Sequence, residues 1–487
     1  MAFTSSASSL LAITLVCFSI SAYTCFANCH VDDESGLLAF KSGITQDPTG
    51  MLSSWIPATD CCIWSGIECL DSNKRVSSLT LFGASDPNFF VTGTISPSLS
   101  KLRYLQGLFL QNLRNLTGTF PTFIFNLPDL NQLYLDNNKL SGPLPMDIGQ
   151  KLHPQFVGLS LSENRFTGSI PSSISQLVNL RDLDLGSNIF SGPIPNGIQN
   201  MNNLVFLNLE KNQLSGKIPN FFATLTSLQE LDLSHNKLSG EIPSSISFLA
   251  PTLELLNLGH NLLTGKIPNY LGNFQNLNRL DLSSNQLTGV VPTSFRNLTD
   301  ILYLQLAHNH LVDPFPELEV KKIEGLDLSY NKFNLVTIPK WVESSALIYS
   351  LKLAGCGLKF RLEDFKPREK YFYDYIDLSD NQITGTPVGL MNETTLLKGF
   401  WASGNQLRFD LSGLRLPNGL KTLVLARNKI FGKVPQNISK LEKVDLSHNH
   451  LCGPIPETKF AVEAFLGNDC LCGSPLPPCK KMQAESV

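Results

Sequence analysis

Leu183-Asp-Leu-Gly-Ser-Asn188-Ile-Phe-Ser-Gly192-Pro-Ile-Pro195 decides how this chain folds, because versions of it return along most of the sequence. Its asparagine recurs as Asn164, Asn188, Asn212, Asn236, Asn261, Asn285 and Asn309, spaced 24 or 25 residues apart. No helix or simple strand has that period, so the spacing marks a stacked repeat array. Such an array grows in one dimension, so 487 residues are expected to make one long domain rather than about three globular ones.

Within each repeat, the Leu-x-Leu alternation buries two leucines and exposes the residue between them, the signature of a strand. The asparagine three residues after the second leucine can satisfy backbone groups where the chain turns, which predicts a ladder of amides through the interior. Next comes Leu-x-Gly-x-Ile-Pro, as in Leu238-Ser-Gly240-Glu-Ile-Pro243 and, with Val for Ile, in Leu287-Thr-Gly289-Val-Val-Pro292. Glycine permits a tight bend there, and proline, lacking a donor, suits the margin of a second strand. A run such as Ser244-Ser-Ile-Ser-Phe-Leu249 then returns along the outer face as a 3₁₀ or helical turn. Some fifteen strands at about 4.8 Å spacing predict an arc about 70 Å long. The expected fold class is therefore α/β, a leucine-rich repeat solenoid. It is a curved right-handed superhelix with a parallel concave β-sheet, a short 3₁₀ or helical convex side and disulfide-capped ends.

Residues 311–420 keep the beat less well. Asp313-Pro-Phe-Pro316 replaces the Gly-x-Ile-Pro element, Asn331 comes early, and Phe360 to Tyr375 mixes charges with aromatics. The stretch reads either as repeat drift or as a specialised contact region, and an insertion from Ser85 to Thr92 in the first repeat is open to the same two readings.

A net charge of −3, a charged fraction of 16% and the lack of any Lys/Arg cluster exclude a nucleic-acid partner. The apolar run from Leu10 through Ile20 predicts a secretory signal over residues 1–27, cleaved near Asn28 with Ala22 as a competing site. It is too short for a membrane anchor, and the tail Lys480 to Val487 fits neither a span nor a lipid-anchor signal. The chain is thus expected to be secreted to the extracellular space or cell wall without a transmembrane anchor. Residues 28–75 read as an N-terminal cap, 76–456 as about fifteen repeats and 457–487 as a C-terminal cap and tail.

Of 11 cysteines, Cys17 and Cys25 belong to the signal. Cys29, Cys61, Cys62 and Cys69 flank the array in front, and Cys452, Cys470, Cys472 and Cys479 flank it behind. Both sets read as covalent staples of an oxidising compartment. Adjacent Cys61 and Cys62, and the C-x-C of Cys470 and Cys472, do not fit zinc spacing. Cys356 stands in a ladder position and is expected to be a buried free thiol. Asn115, Asn297, Asn392 and Asn437 begin Asn-x-Ser/Thr sequons, candidate glycan sites that would mark faces a partner leaves uncovered.

Asp33-Glu-Ser-Gly-Leu-Leu-Ala-Phe-Lys41, Leu52-Ser-Ser-Trp55 and Asp60-Cys-Cys-Ile-Trp-Ser-Gly-Ile-Glu-Cys69 resemble the N-terminal cap of plant extracellular leucine-rich repeat proteins. The Leu-x-Gly-x-Ile-Pro element resembles their plant-specific repeat. Asn468-Asp-Cys-Leu-Cys-Gly-Ser-Pro-Leu-Pro-Pro-Cys479 resembles the C-terminal cap of polygalacturonase-inhibiting proteins. The chain is similar also to receptor-like protein ectodomains, although it lacks their membrane span, acidic linker and kinase, and its array is longer than that of the inhibitors. The resemblance implies an apoplastic protein whose concave face binds another macromolecule. It also implies the pairings Cys29 to Cys61, Cys62 to Cys69, Cys452 to Cys470 and Cys472 to Cys479.

Candidate ligand-binding residues follow from the strand pattern. Asp184, Asn208, Asp232, Asn257, Asp281, Gln305 and Asp327 each lie between paired apolar residues, and Glu230 and Tyr303 flank that line. Further along it stand Lys352, Asp377 and Trp401, while Lys211, His235, Arg279 and Tyr330 enrich the same face. The line reads either as a solvated row or as an acidic strip that attracts a basic partner less strongly as salt rises. Tyr and Arg anchors favour its centre as a contact. Glu230 and Asp232, about 7 Å apart by strand rise, match the carboxyl separation of inverting glycosidases, but an open sheet does little to raise one pKa. Binding rather than catalysis is expected. His235, His260, His308 and His448 all precede the ladder asparagine, and only His235 and His260 occupy adjacent repeats; no metal or cofactor is implied.

The expected function is extracellular recognition of a protein, peptide or wall-derived ligand in plant defence or wall signalling. A microbial wall-degrading enzyme and a membrane receptor kinase are among the expected partners. Inhibition of microbial polygalacturonase is the first alternative. A structural wall protein is the second, disfavoured because pectin and this face are both acidic.

Overall fold

In the regular repeats the first leucine of each Leu-x-Leu pair and the residue on either side of it form a three-residue strand, as at Phe206–Asn208, Glu230–Asp232, Leu255–Asn257 and Arg279–Asp281. A computed structural model describes residues 29–479 except Ser85, Pro87, Lys321 and residues 369–371. The expected signal sequence and its cleavage point, like the polar tail from Lys480, lie outside the described residues. What is described falls into two compact units, divided between Ser191 and Gly192.

In the first unit, Val31–Ser42 forms an α-helix whose N-terminal turn is capped by His30, and it packs on the first outer turn, Pro97–Lys101. Asp33 in that helix is fully buried and accepts Arg75 Nε at 2.8 Å, Arg75 Nη2 at 2.7 Å and the Val76 backbone N–H at 3.0 Å. Trp55 and Trp64 stack at 5.7 Å to complete the cap core. Disulfides join Cys29 to Cys61 and Cys62 to Cys69. Ile67–Cys69 then pairs antiparallel with Val76–Phe82, which begins a parallel ladder through Gly107–Gln111, Gln132–Tyr134, Gly158–Ser160 and Asp182–Asp184. The expected insertion is shorter than its sequence suggests: Val91 and Thr92 open the strand Val91–Thr94, which pairs parallel with Arg114–Gly118.

In the second unit, a parallel sheet runs without a break from Phe206–Asn208 to Lys443–Asp445. Its register superimposes Leu207, Leu231, Leu256, Leu280, Leu304, Leu326 and Leu351, all 0–1% exposed, in one buried column. Outer turns follow each proline: Ser244–Leu249, Asn269–Asn273 and Thr293–Asn297 are 3₁₀ segments with Pro243, Pro268 and Pro292 at their N-caps. Cys452 is bonded to Cys470 and Cys472 to Cys479 at the far end.

The asparagines form the ladder. Asn261 is typical: its Nδ2 donates to Leu233 O of the preceding repeat at 2.9 Å, and to Leu258 O and Gly259 O of its own turn at 3.2 Å each. Its Oδ1 accepts the Leu238 N–H at 3.0 Å. Buried carbonyls that no strand satisfies are thereby paired. Cys356 occupies one rung, fully buried, with Sγ 3.4 Å from Leu328 O, and burial pushes its thiol pKa up.

The irregular stretch affects the two sides of the second unit differently. Gly325–Asp327, Ser350–Lys352 and Tyr375–Asp377 keep full parallel register on the inner side. On the outer side, among the described residues, only isolated bridges such as Val336 to Leu358 connect repeats between Val312 and Thr384, and the turns at Lys340–Ser344 and Val388–Glu393 become α-helical. Loss of Gly-x-Ile-Pro at 313–316 removes the bend and margin that the outer strand requires, whereas the inner strand needs only its apolar pair and a rung.

Candidate functional site

Parallel register turns the Leu-x-Leu pattern into columns on the open face of the second unit's sheet. Asn208, Asp232, Asn257, Asp281, Gln305, Asp327, Lys352, Asp377 and Trp401 stand side by side in one column. Two residues earlier on the same strands lie Glu230, Arg279, Tyr303, Ser350 and Tyr375. The structure therefore brings together eight of the candidate residues, while Asp184 belongs to the first unit, beside Ser160.

The first column is not the exposed row that the alternation predicts. Asn208, Asp232, Asn257, Asp281, Gln305 and Asp327 are half-buried, and at the equivalent positions of the first unit Ser160 is buried and Asp184 half-buried. Most of these side chains fold back on their own turn. Oδ1 of Asp232, Asp281, Asp327 and Asp377 accepts the backbone N–H two residues on, at 2.8–3.0 Å, and Asn208 and Asn257 do the same at 2.9 and 3.2 Å. This Asx turn ends each strand. Asp232 also takes the Asn257 amide on Oδ2 at 2.8 Å, so both oxygens of the would-be glycosidase acid are engaged.

Beyond the strand end lies a second row, several of whose members the sequence places before the rungs without showing the backbone that presents them. Lys211, His235, His260, Ser284, His308, Tyr330, Asp380, Arg427 and His448, each immediately before a rung, all have φ between +47° and +56°. The left-handed turn lifts their side chains off the sheet, and all but Ser284 are exposed. His235 and His260 stack at 4.0 Å, where burial and then His235 lower the pKa of His260. His308 stacks on Tyr330 at 4.8 Å. Among the described residues no three His, Cys, Asp or Glu side chains are placed to hold a metal.

Where this row faces the columns between Asp327 and Trp401, the surface sinks into a hollow of about 520 Å³. His308 and Tyr330 stand at its edge, and Ser350, Lys352, Tyr375, Asp377 and Trp401 rise into it from the strands. Lys352 is 3.6 Å from Asp327. Tyr330 donates to Asp380 at 3.0 Å, and Asp380 is held from the other side by Arg427 at 3.2 Å. Burial, and then the bond to Asp380, push the Tyr330 hydroxyl up to about 12. Burial also raises the Asp377 carboxyl, against the N–H it accepts from Ser379.

Of the nine candidates, Asp327 lines this hollow; Asn208, Asp232, Asn257, Asp281 and Gln305 lie along its column, Glu230 and Tyr303 in the column beside it, and Asp184 in the first unit. Tyr375 and Ser350 escaped notice. They precede the central residue by two and so share its face, a period-2 signal that Tyr375-Ile-Asp377 carries plainly. The four sequon asparagines lie off these strands: Asn115 in an outer strand, Asn297 and Asn437 in 3₁₀ turns and Asn392 in a helix. Among the described residues no helix is long and apolar enough to cross a membrane.

Residues 30–70 match the leucine rich repeat N-terminal domain. Leucine rich repeat models match residues 251–311 and, as single repeats, 129–150, 156–177, 179–201, 203–225, 227–249 and 440–458. The chain is 39% identical to leucine-rich repeat protein FLOR 1 of Arabidopsis thaliana over 134 residues, 27% of this chain and 36% of that protein. It is 36% identical to polygalacturonase inhibitor 1 of the same plant over 116 residues, 23% of this chain and 33% of the other. These matches thus span about a third of each curated relative's length. Among solved structures, the plant peptide hormone receptor RGFR1 in complex with RGF2 is similar with a TM-score of 0.58 and 29% identity, over 75% of this chain and 62% of that one. The Arabidopsis receptor kinase HAESA, solved with the peptide hormone IDA and the co-receptor SERK1, shares the fold at a TM-score of 0.53 and 23% identity, over 91% and 98%.

Proposed function

We propose that this chain, a leucine-rich repeat protein of the plant ectodomain type, is an extracellular recognition protein. It binds a protein, peptide or wall-derived ligand through the open face of its Leu-x-Leu sheet, in defence or wall signalling. One observation carries the reading: the sheet of the second unit holds its register through the irregular repeats and there gathers Tyr330, Tyr375 and Trp401 with charged groups around a hollow. Aromatic anchors beside half-desolvated charges are what a binding hot spot requires. The sequons lie off this face, and the structural relative RGFR1, a plant peptide hormone receptor, was solved in complex with RGF2. The Asx turns assign Asp232 and Asp281 a structural role, so their contribution to binding is electrostatic attraction of a basic partner. The test is chemical cross-linking in extracellular fluid. Asp232→Lys, Asp281→Lys and Asp327→Lys combined should reduce capture of the partner, with the loss deepening at low salt; unchanged capture places the site elsewhere.

Inhibition of microbial polygalacturonase is the second reading, favoured by the identity to polygalacturonase inhibitor 1. It requires that the purified protein slow the release of reducing sugar from pectin by a fungal polygalacturonase. An undiminished rate rejects it.

A further inference from the structure

The geometry points to the hollow between Asp327 and Trp401 as a seat for an arginine side chain of a peptide or protein segment. The inference rests on the recognition function above and adds the chemistry of the group recognised.

The charges around the hollow do not cancel. Asp327 is paired with Lys352, and Asp380 with Arg427. Asp377 alone of the three acids makes no ion pair among the described residues; its Oδ1 takes the Ser379 N–H at 2.9 Å. A half-buried carboxylate in that position favours a cation, and burial from water strengthens the attraction.

The rings beside it favour a flat cation. Trp401 lies folded back over Gly399, where a Cβ would strike its six-membered ring and would also come within 3.1 Å of Tyr375 Cδ1. Tyr375, 41% exposed, flanks it at a ring separation of 6.3 Å. The two make an aromatic surface on neighbouring strands, directly beside Asp377. Across the hollow, Tyr330 crosses Gly355, where a Cβ would come within 3.1 Å of its ring, and is fixed there by its bond to Asp380. A guanidinium meets both demands at once, stacking on a ring face while its donors fork onto a carboxylate. An ammonium satisfies only the charge. An anionic wall fragment such as oligogalacturonate meets repulsion from Asp377 and is disfavoured. The volume, about 520 Å³, exceeds one side chain and leaves room for flanking residues.

Fluorescence isolates the event. Trp55, Trp64 and Trp341 are 0%, 2% and 6% exposed, so a quencher or ligand in solution acts on Trp401. Acetyl-Gly-Arg-Gly-amide, titrated into the full secreted protein, should change the emission and bind about tenfold more tightly than the same peptide with citrulline, its neutral isostere. Asp377→Asn should bring the arginine peptide down to the citrulline affinity at an unchanged far-ultraviolet spectrum, and Trp401→Phe should abolish the signal. Equal affinities, no response to either peptide up to about 10 mM, or tighter binding of trigalacturonate would overturn the assignment. A partner captured equally by the wild type and Asp377→Asn, yet lost on triple charge reversal, would reject the arginine seat and leave recognition by this face standing.

Discussion

Asn261 shows how a single side chain can hold two repeats together, because its amide faces backbone groups on both. Replacing it by Ala removes four hydrogen bonds and leaves buried backbone groups unpaired. The expected loss is about 2–3 kcal/mol, measured as a lower urea midpoint at constant slope. Asp377 makes the opposite case. Its folded pKa lies above the ordinary 3.8, so it contributes stability that is full below that value and is lost as pH rises through the folded pKa. Asp377→Asn should therefore be more stable than the wild type at neutral pH, with the difference fading as pH falls through the raised folded pKa and gone below about 3.8. The turn tolerates the change, since Asn208 and Asn257 accept the same N–H bond at the same position. A difference that does not vary with pH would contradict this. The ladder was legible because its asparagines share a chemistry and a spacing. The left-handed row was not, because Lys, His, Ser, Tyr, Asp and Arg share the spacing but no chemistry, and Leu-Asp-Leu does not say which way the carboxylate turns.

At the scale of elements, the N-terminal helix is tied to the array by its packing on the first outer turn and by one buried ion pair. Asp33 is fully buried and receives three donors from Arg75 and Val76. Asp33→Ala strands the Arg75 guanidinium and should cost about 3–5 kcal/mol, seen as separate early melting of the helix or a lower overall midpoint; a loss within about 0.5 kcal/mol would mean that the pair is solvent-compensated. The inner and outer strands also answer to different signals. Leu-x-Leu with its rung was readable everywhere, including in the irregular repeats, where Leu326, Leu351 and Ile376 keep their register. The failure of Gly-x-Ile-Pro at 313–316 was readable too. What could not be read was its consequence, an outer side reduced to bridges beneath an intact inner sheet, because strand pairing depends on neighbours some 24 residues away.

At the scale of the molecule, repetition supplies a sheet whose leucines, rungs and Asx turns are accounted for by stacking. What stacking does not account for gathers around one hollow in the second unit: Tyr375 and Trp401 on adjacent strands, an acid without an ion pair among the described residues, and Tyr330 fastened across Gly355. The candidate line along Asp232, Asp281 and Asp327 leads to this place from one side. Sequence periodicity could define the face but not the place, since the hollow depends on rings from different repeats folding over glycines. The most direct test of recognition by this face is hydroxyl-radical footprinting of the full chain, with and without the partner captured from extracellular fluid. Tyr330, Tyr375 and Trp401 should be protected, while Phe248, 60% exposed on an outer 3₁₀ turn, should oxidise as before. Protection of Phe248 with Tyr375 and Trp401 unchanged would contradict the account.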